Sequence, residues 1–127
     1  MTEPISYRLG DLQLKIMRVL WEHGPLGVAE VRAQLHGEAL AYTTVATMLR
    51  KMEARQLVEH DTHQRRFIYR AAVDERDVTR SMADDLVDRL FDGSLAQTVS
   101  HLLRTREVDG KELAELEALI QQRRANR

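Results

Sequence analysis

Apolar residues recur at intervals of three and four along most of the chain, the spacing that places side chains on one face of a helix. The first such stretch begins at Asp11 and ends at Gly24-Pro25, because glycine favours a helix C-cap and proline cannot continue the hydrogen-bond ladder. A second, short stretch runs from about Val28 to Leu35. Together with the longer stretch that follows, these elements have the order of a helix-turn-helix.

The third stretch, predicted as a helix from Tyr42 to Arg55, has an unusual polar face. Its inner stripe consists of Val45, Met48, Leu49 and Met52. The opposite face and its flanks carry small, hydroxyl or cationic side chains, namely Thr43, Thr44, Ala46, Thr47, Arg50 and Lys51. No acidic residue occurs between Ala41 and Met52. Short side chains let a helix approach the DNA major groove closely, and Arg and Lys bind base edges or phosphates. We interpret this element as a DNA recognition helix.

The residues after this helix predict a β-hairpin. The runs Leu57–Asp61 and Arg66–Ala71 flank the polar link Thr62–Arg65, which suits a four-residue turn. An arginine-bearing hairpin after a third helix predicts a winged helix, whose tip meets the phosphate backbone. We expect Arg65 and Arg66 to make those contacts. Tyr42 either donates its hydroxyl to a phosphate or packs beneath the recognition helix.

Three further amphipathic helices are predicted after Val73, separated by Asp92-Gly93-Ser94 and by a cap at Asp109. Their stripes are aliphatic and too extended for three slim helices to bury alone. Packing against a second copy in a two-fold dimer would cover them. The predicted dimerisation residues are Met82, Leu86, Leu90, Phe91, Leu95, Val99, Leu102, Leu103, Leu113, Leu116, Leu119 and Ile120.

The predicted fold is therefore mainly α with a small β-hairpin. Residues 1–72 form a winged helix-turn-helix DNA-binding domain, and residues 73–127 form a helical dimerisation domain. A homodimer would present two recognition helices to half-sites about 34 Å apart on double-stranded operator DNA.

The charge distribution agrees with this division. The net charge of the 127 residues is −1, which argues against a protein that coats nucleic acid nonspecifically. From Met1 to Ala71 there are 10 Lys and Arg against 8 Asp and Glu, whereas from Ala72 onward there are 9 against 12. The excess of cations thus accompanies the predicted recognition helix.

Several classes of site are not indicated by the sequence. There is no cysteine, so disulfides, thiolate zinc sites and cysteine nucleophiles are excluded. Among the 5 histidines, His60 and His63 are the two that a hairpin could bring together, which is weak support for a metal site. No catalytic constellation or glycine-rich phosphate loop is present, and we expect no enzyme activity, cofactor or metal.

No apolar run reaches membrane-span length, and residues 1–6 lack the features of a signal sequence, which predicts a cytoplasmic protein without membrane insertion.

Taken together, these features resemble the BlaI/MecI/CopY family of penicillinase and copper-operon repressors over almost the full length of the chain. The resemblance implies an N-terminal winged helix, a C-terminal dimerisation domain and a palindromic operator whose occupation blocks transcription. It rests on Leu9-Gly10-Asp11-Leu12, Ala41-Tyr42-Thr43-Thr44-Val45, Leu57-Val58, Arg66-Phe67-Ile68-Tyr69, Leu90-Phe91-Asp92-Gly93-Ser94 and Glu112-Leu113-Ala114-Glu115-Leu116.

The chain departs from the pattern of this family in two respects. The copper-responsive members bind metal through a cysteine-rich tail, and this chain has no cysteine. In the penicillinase branch, a membrane-bound sensor metalloprotease system inactivates the repressor at an Asn-Phe bond in the dimerisation domain. Alignment on Glu112–Leu116 places His101-Leu102 at that cleavage site. The resemblance therefore implies proteolytic relief of repression and a link to antibiotic resistance, but without the Asn-Phe pair.

Two alternative functions remain open at the level of sequence. One is a MarR-type repressor gated by a small molecule, although 1 Trp, 3 Tyr and 2 Phe offer little aromatic lining for a ligand pocket. The other is a winged helix that docks to an acidic protein without binding DNA.

Overall fold

The computed structural model describes residues 7–37 and 39–127. The expectation about a signal sequence falls on residues 1–6, and part of the link before the recognition helix falls on residue 38, so both lie outside the described residues. In chain order, the elements are α1 Asp11–His23, β1 Leu26–Gly27, α2 Val28–Gln34, α3 Tyr42–Ala54, β2 Val58–His63, β3 Arg66–Ala71, α4 Glu75–Phe91, α5 Leu95–Thr105 and α6 Gly110–Ala125.

The chain divides into two compact units, Met1–Ala83 and Asp84–Arg127, and the division falls inside α4. The domain boundary predicted between residues 72 and 73 stays a prediction. Within the described residues, no helix combines the length and the apolar character that a membrane span requires.

The first unit encloses an apolar core between α1, α2, α3 and the sheet. The inner stripe of α3 contributes Val45, Leu49 and Met52, each of which is fully buried. Met48, predicted on the same stripe, is only partly buried at its edge. The remaining buried members of this core are Ile16, Met17, Val19, Leu20, Val28, Val31, Leu35, Leu57, Val58 and Tyr69. The helical spacing in the sequence therefore identified the correct inward faces.

The sheet has three antiparallel strands in the order β1-β3-β2, where two strands were predicted. In β1, Leu26 pairs with Tyr69 and Gly27 pairs with Ile68. Two residues are too few to produce an alternating pattern, so β1 could not be recognised from the sequence. Its consequence is that the base of the hairpin is hydrogen-bonded to the residues that immediately precede α2.

The predicted four-residue link of the hairpin is wrong. Because His63 pairs with Arg66, the turn contains only Gln64 and Arg65. These two residues have φ of 50° and 65°, as in the type I′ turn that matches the twist of a hairpin. The usual sequence of this turn contains Asn or Gly, and its absence here concealed the shorter turn.

Two hydrogen bonds join the N-terminal part of the first unit to the segment that follows the sheet. The Trp21 Nε1–H donates to the carbonyl of Val73 at 3.0 Å, between β3 and α4. The backbone N–H of Tyr7 donates to Ser81 Oγ at 2.8 Å. Trp21 thus joins α1 to the segment that follows β3.

The second unit has well-formed helix ends but almost no buried residues. Ser94 and Asp109 cap α5 and α6, accepting hydrogen bonds from the N–H of Gln97 at 3.1 Å and of Glu112 at 2.8 Å. The predicted cap at Asp109 is confirmed. Of the described residues in this unit, Thr98 alone is buried. The large exposed apolar side chains are Leu86, Leu90, Leu95, Leu102, Leu103, Leu113, Leu119 and Ile120.

Candidate nucleic-acid interface

The outer face of α3 is polar and accessible in the structure. Thr43, Thr44, Arg50 and Lys51 are exposed, and Thr47 is half-buried. The guanidinium of Arg50 donates to Thr47 Oγ1 at 3.2 Å, which holds both side chains on the same side of the helix. The first turn of α3 contains no acidic residue, so the positive end of the helix dipole is not neutralised there.

Ala46 and Tyr42 occupy the side of α3 that faces the hairpin. Ala46 is half-buried and packs partly against the core, so its methyl group is less available to a ligand than the threonines are. Tyr42 is 50% exposed at the first position of the helix. Of the two roles considered for Tyr42, its exposure favours contact with a ligand over packing beneath the helix.

Arg65 lies at the tip of the hairpin, where the turn projects it into solvent. Neither Arg65 nor Lys51 forms an ion pair with any residue in the described part of the chain. An unpaired exposed cation costs little to bring to a phosphate, because no existing interaction has to be broken.

Arg66 differs from Arg65 because it is already engaged. Its Nη2 forms an ion pair with Oε1 of Glu30, in the first turn of α2. This hydrogen bond lowers the pKa of Glu30 and raises the pKa of Arg66, so both groups are charged at neutral pH. Sequence reasoning missed Glu30, because no local pattern indicates that α2 and β3 meet.

A cavity of about 310 Å³ lies between α3, the start of α2 and the hairpin. It brings together three of the predicted cations and three aromatic rings, and no carboxylate is among its described lining residues. The lining residues are Val28, Ala29, Tyr42, Ala46, Arg50, Arg65, Arg66, Phe67 and Tyr69. A second, shallower depression is formed by Thr43, Thr44, Thr47, Met48 and Lys51 on the other side of α3. The helix therefore separates two depressions, each edged by positive charge.

The C-terminal end of α3 is joined to the hairpin through His60. Its Nδ1 lies 2.5 Å from Glu53 Oε2, and its ring stacks on Phe67 with centroids 4.0 Å apart. His63 lies three residues further along the same strand, so the idea that the two histidines meet across the hairpin is wrong. In the part of the chain that the structure describes, no group of three or more His, Cys, Asp or Glu is placed to hold a metal ion.

Arg70, on β3, differs from Arg50 and Arg65 because it is paired with two acidic residues. Its Nη2 lies 2.8 Å from Glu59 Oε2, and its Nη1 contacts Asp61. With two acidic partners on β2, Arg70 presents no free positive charge. It provides an internal comparison for the arginines of the interface.

Comparison with known proteins gives three findings. A family model described as penicillinase repressor matches residues 9–122. The penicillinase repressor of Bacillus licheniformis is 25% identical over 116 residues, which are 91% of this chain and 91% of that protein. A solution structure of monomeric BlaI from that organism, bound to a half-operator, matches 56% of this chain and 88% of its own at 26% identity, with a TM-score of 0.48.

One further structure shows the fold alone. A MarR family protein from Bacillus stearothermophilus is 16% identical and matches 94% of this chain and 76% of its own, with a TM-score of 0.53. This likeness supports a winged-helix architecture with a helical C-terminal part.

Proposed function

Because the chain belongs to the penicillinase repressor family, we propose that this DNA-binding transcriptional repressor acts as a homodimer that occupies a palindromic operator. A transcriptional repressor is not a class of enzyme, and repression would be steric, by exclusion of other proteins from promoter DNA in the cytoplasm. The observation that carries the proposal is the acid-free outer face of α3 beside a hairpin whose tip carries Arg65, an exposed arginine without an ion pair among the described residues.

In the proposed complex, α3 lies in the major groove. Thr43, Thr44 and Thr47 are short enough to let the helix backbone approach the base edges, with Ala46 beside them. Arg50 is the side chain able to bind a guanine through two hydrogen bonds. The phosphate contacts would be made by Tyr42, Lys51, Arg65 and Arg66, which flank that helix face.

The homodimer is supported by the exposure of the C-terminal stripes. Leu90, Leu95 and Leu119 are 70%, 68% and 61% exposed in the single chain, and α6 buries no residue. Each large aliphatic side chain removed from water contributes about 1.5–3 kcal/mol. A second copy supplies the same stripe and would cover all of these residues about a two-fold axis. Met82, Phe91, Val99 and Leu116, which are less exposed, complete the proposed dimerisation set.

Relief of repression by a membrane-bound sensor metalloprotease is the finer part of this proposal. The bond between His101 and Leu102 lies inside α5, where the N–H of Arg106 donates to the carbonyl of Leu102 at 3.2 Å. A protease needs an extended substrate, so α5 would have to unfold locally before cleavage. In a single protomer α5 buries only Thr98, so this opening would cost little once the proposed dimer has dissociated.

Selection of bound sequences from a random DNA pool tests the proposed function. We expect the full-length protein, at near-physiological salt, to enrich an inverted repeat with half-sites about one helical turn apart. The variant Arg50→Ala should lose base preference at one position of each half-site, whereas Arg70→Ala, which removes an arginine already paired with two acids, should retain it. A folded, dimeric protein that enriches no sequence would contradict the proposal.

A further inference from the structure

We propose that Glu30 is an internal competitor of DNA phosphate for Arg66, and that this competition reduces the affinity of the hairpin for DNA of any sequence. The inference rests on the proposed function and concerns the regulation of the same interface. It would make Glu30, a residue outside the recognition helix, a determinant of DNA affinity and of its salt dependence.

The ion pair depends on a close approach at the junction of β1 and α2. A Cβ added to Gly27 would lie 2.5 Å from Arg66 Nη2 and 2.5 Å from Glu30 Oε2. Any larger residue would therefore push both charged groups away. Because Gly27 also pairs with Ile68 in the sheet, the strand that carries Arg66 is fixed beside the start of α2.

The pair is of the weak, exchangeable kind. The Arg66 and Glu30 side chains are 54% and 43% exposed, and ion pairs at that degree of exposure contribute little to stability. Within the described residues, Glu30 Oε2 has no hydrogen-bond partner, so the carboxylate does not grip the guanidinium with both oxygens. A phosphate offers the same kind of anionic oxygen and can take the place of the carboxylate.

Arg66 also lines the cavity that contains Arg50 and Arg65. Arg66 therefore both pairs with the Glu30 carboxylate and lines the depression beside the recognition helix. In the free protein the Glu30 carboxylate compensates the charge of Arg66. A phosphate that binds Arg66 leaves Glu30 unpaired and close to another anion.

This exchange has a consequence for the salt dependence of binding. Each phosphate neutralised by a cation releases counterions and contributes about 0.9 to the slope of log K against log salt. When Arg66 leaves Glu30, the freed carboxylate recruits a cation from solution, which offsets part of that release. Arg66 should therefore contribute less to the slope than Arg65, which has no acidic partner in the part of the chain that the structure describes.

The decisive experiment is a salt titration of full-length protein on two duplexes, the inverted repeat recovered by selection and a scrambled duplex of equal length. Glu30→Gln should tighten binding to both duplexes by about 3- to 10-fold at low salt, and steepen the slope by up to about 0.9. The matched control is Glu59→Gln. It also removes one negative charge, in this case from β2 of the hairpin, but leaves the Glu30–Arg66 pair intact. It should leave the slope unchanged. Combined with Arg66→Ala, Glu30→Gln should have no effect on the slope.

A second variant does not depend on how Glu30→Gln folds. Arg66→Ala alone should reduce the slope by less than Arg65→Ala does. Equal reductions, or weaker binding by Glu30→Gln with an unchanged slope, would show that the pair is a structural brace and would overturn the inference. Failure of the proposed function has a different signature, in which the wild-type protein binds the repeat and the scrambled duplex equally. Absence of binding to either duplex would overturn both.

Discussion

The two units of this chain solve the problem of burying apolar surface differently. In the first unit, three short helices and three strands enclose a core in which Ile16, Val45, Leu49 and Val58 are inaccessible to water. In the second unit, α6 runs for 16 residues without burying one of them. Both units have amphipathic sequences, so the difference lies in what each apolar face meets. The first unit supplies its own partner surfaces, whereas the second leaves its apolar surface exposed, and we propose that a second copy covers it.

This contrast assigns different work to the two units. A closed core holds α3 and the hairpin at a fixed separation, which the reading of base edges requires. An exposed apolar surface suits a dimer that can form and later dissociate while the DNA-binding unit stays folded. We therefore expect different substitutions to affect three properties separately. These are the stability of the first unit, dimerisation and DNA recognition.

The largest effect is expected in the closed core. Leu49→Ala should reduce the free energy of unfolding of the first unit by about 2–5 kcal/mol, because Leu49 is fully buried and the cavity left behind cannot collapse completely. Chemical denaturation followed by Trp21 fluorescence measures this loss. The loss should be the same at all protein concentrations, and a concentration-dependent loss would mean that this core is not self-contained.

The next effect concerns the open surface. Ile120 is 54% exposed in the single chain, so Ile120→Asp should be tolerated within the chain but place a charge in the proposed dimer interface. We expect the dimer dissociation constant to rise at least about 100-fold, or about 2.7 kcal/mol. Sedimentation equilibrium provides the mass. The control, Glu117→Gln on the same helix, should remain a dimer, and a dimeric Ile120→Asp variant would remove α6 from the interface.

A smaller and more specific effect is expected at the recognition helix. Arg50→Ala should weaken operator binding by about 1–3 kcal/mol and relax base preference at one position of each half-site, if Arg50 binds a guanine. Competition between operator and single-base variants measures this preference. The mass of the protein should not change. Uniform weakening on every sequence would reassign Arg50 to the phosphate backbone.

The smallest effect is expected at the tip of the hairpin. Arg65→Ala should weaken binding to all sequences alike and reduce the salt slope by about 0.9 for each phosphate that the hairpin no longer neutralises. The measurement is a binding isotherm at several salt concentrations, with Arg70→Ala as the paired-arginine control. A slope identical to that of the wild-type protein would show that Arg65 does not bind phosphate.

The sequence was most informative where structure is local. The three- and four-residue spacing identified the inward face of α3, where Val45, Leu49 and Met52 are buried, and the Asp109 cap was placed correctly because capping involves only residues three apart. Features that join distant parts of the chain were missed. The two-residue strand β1 pairs with a strand about 40 positions later, and the Glu30–Arg66 pair spans 36 positions. Neither contact produces a periodic pattern in the sequence. The turn was missed as well, because Gln64 and Arg65 are not residue types that indicate a positive φ.

The most direct test of the contrast between the self-contained first unit and the exposed second unit is amide hydrogen exchange. It is measured side by side on the full-length wild-type protein and on Ile120→Asp. We predict that α1, α2 and α3 are protected equally in both proteins, whereas α5 and α6 lose most of their protection in the variant. Equal protection of α5 and α6 in a variant that sediments as a monomer would contradict this prediction, because the second unit would then be stable without a partner.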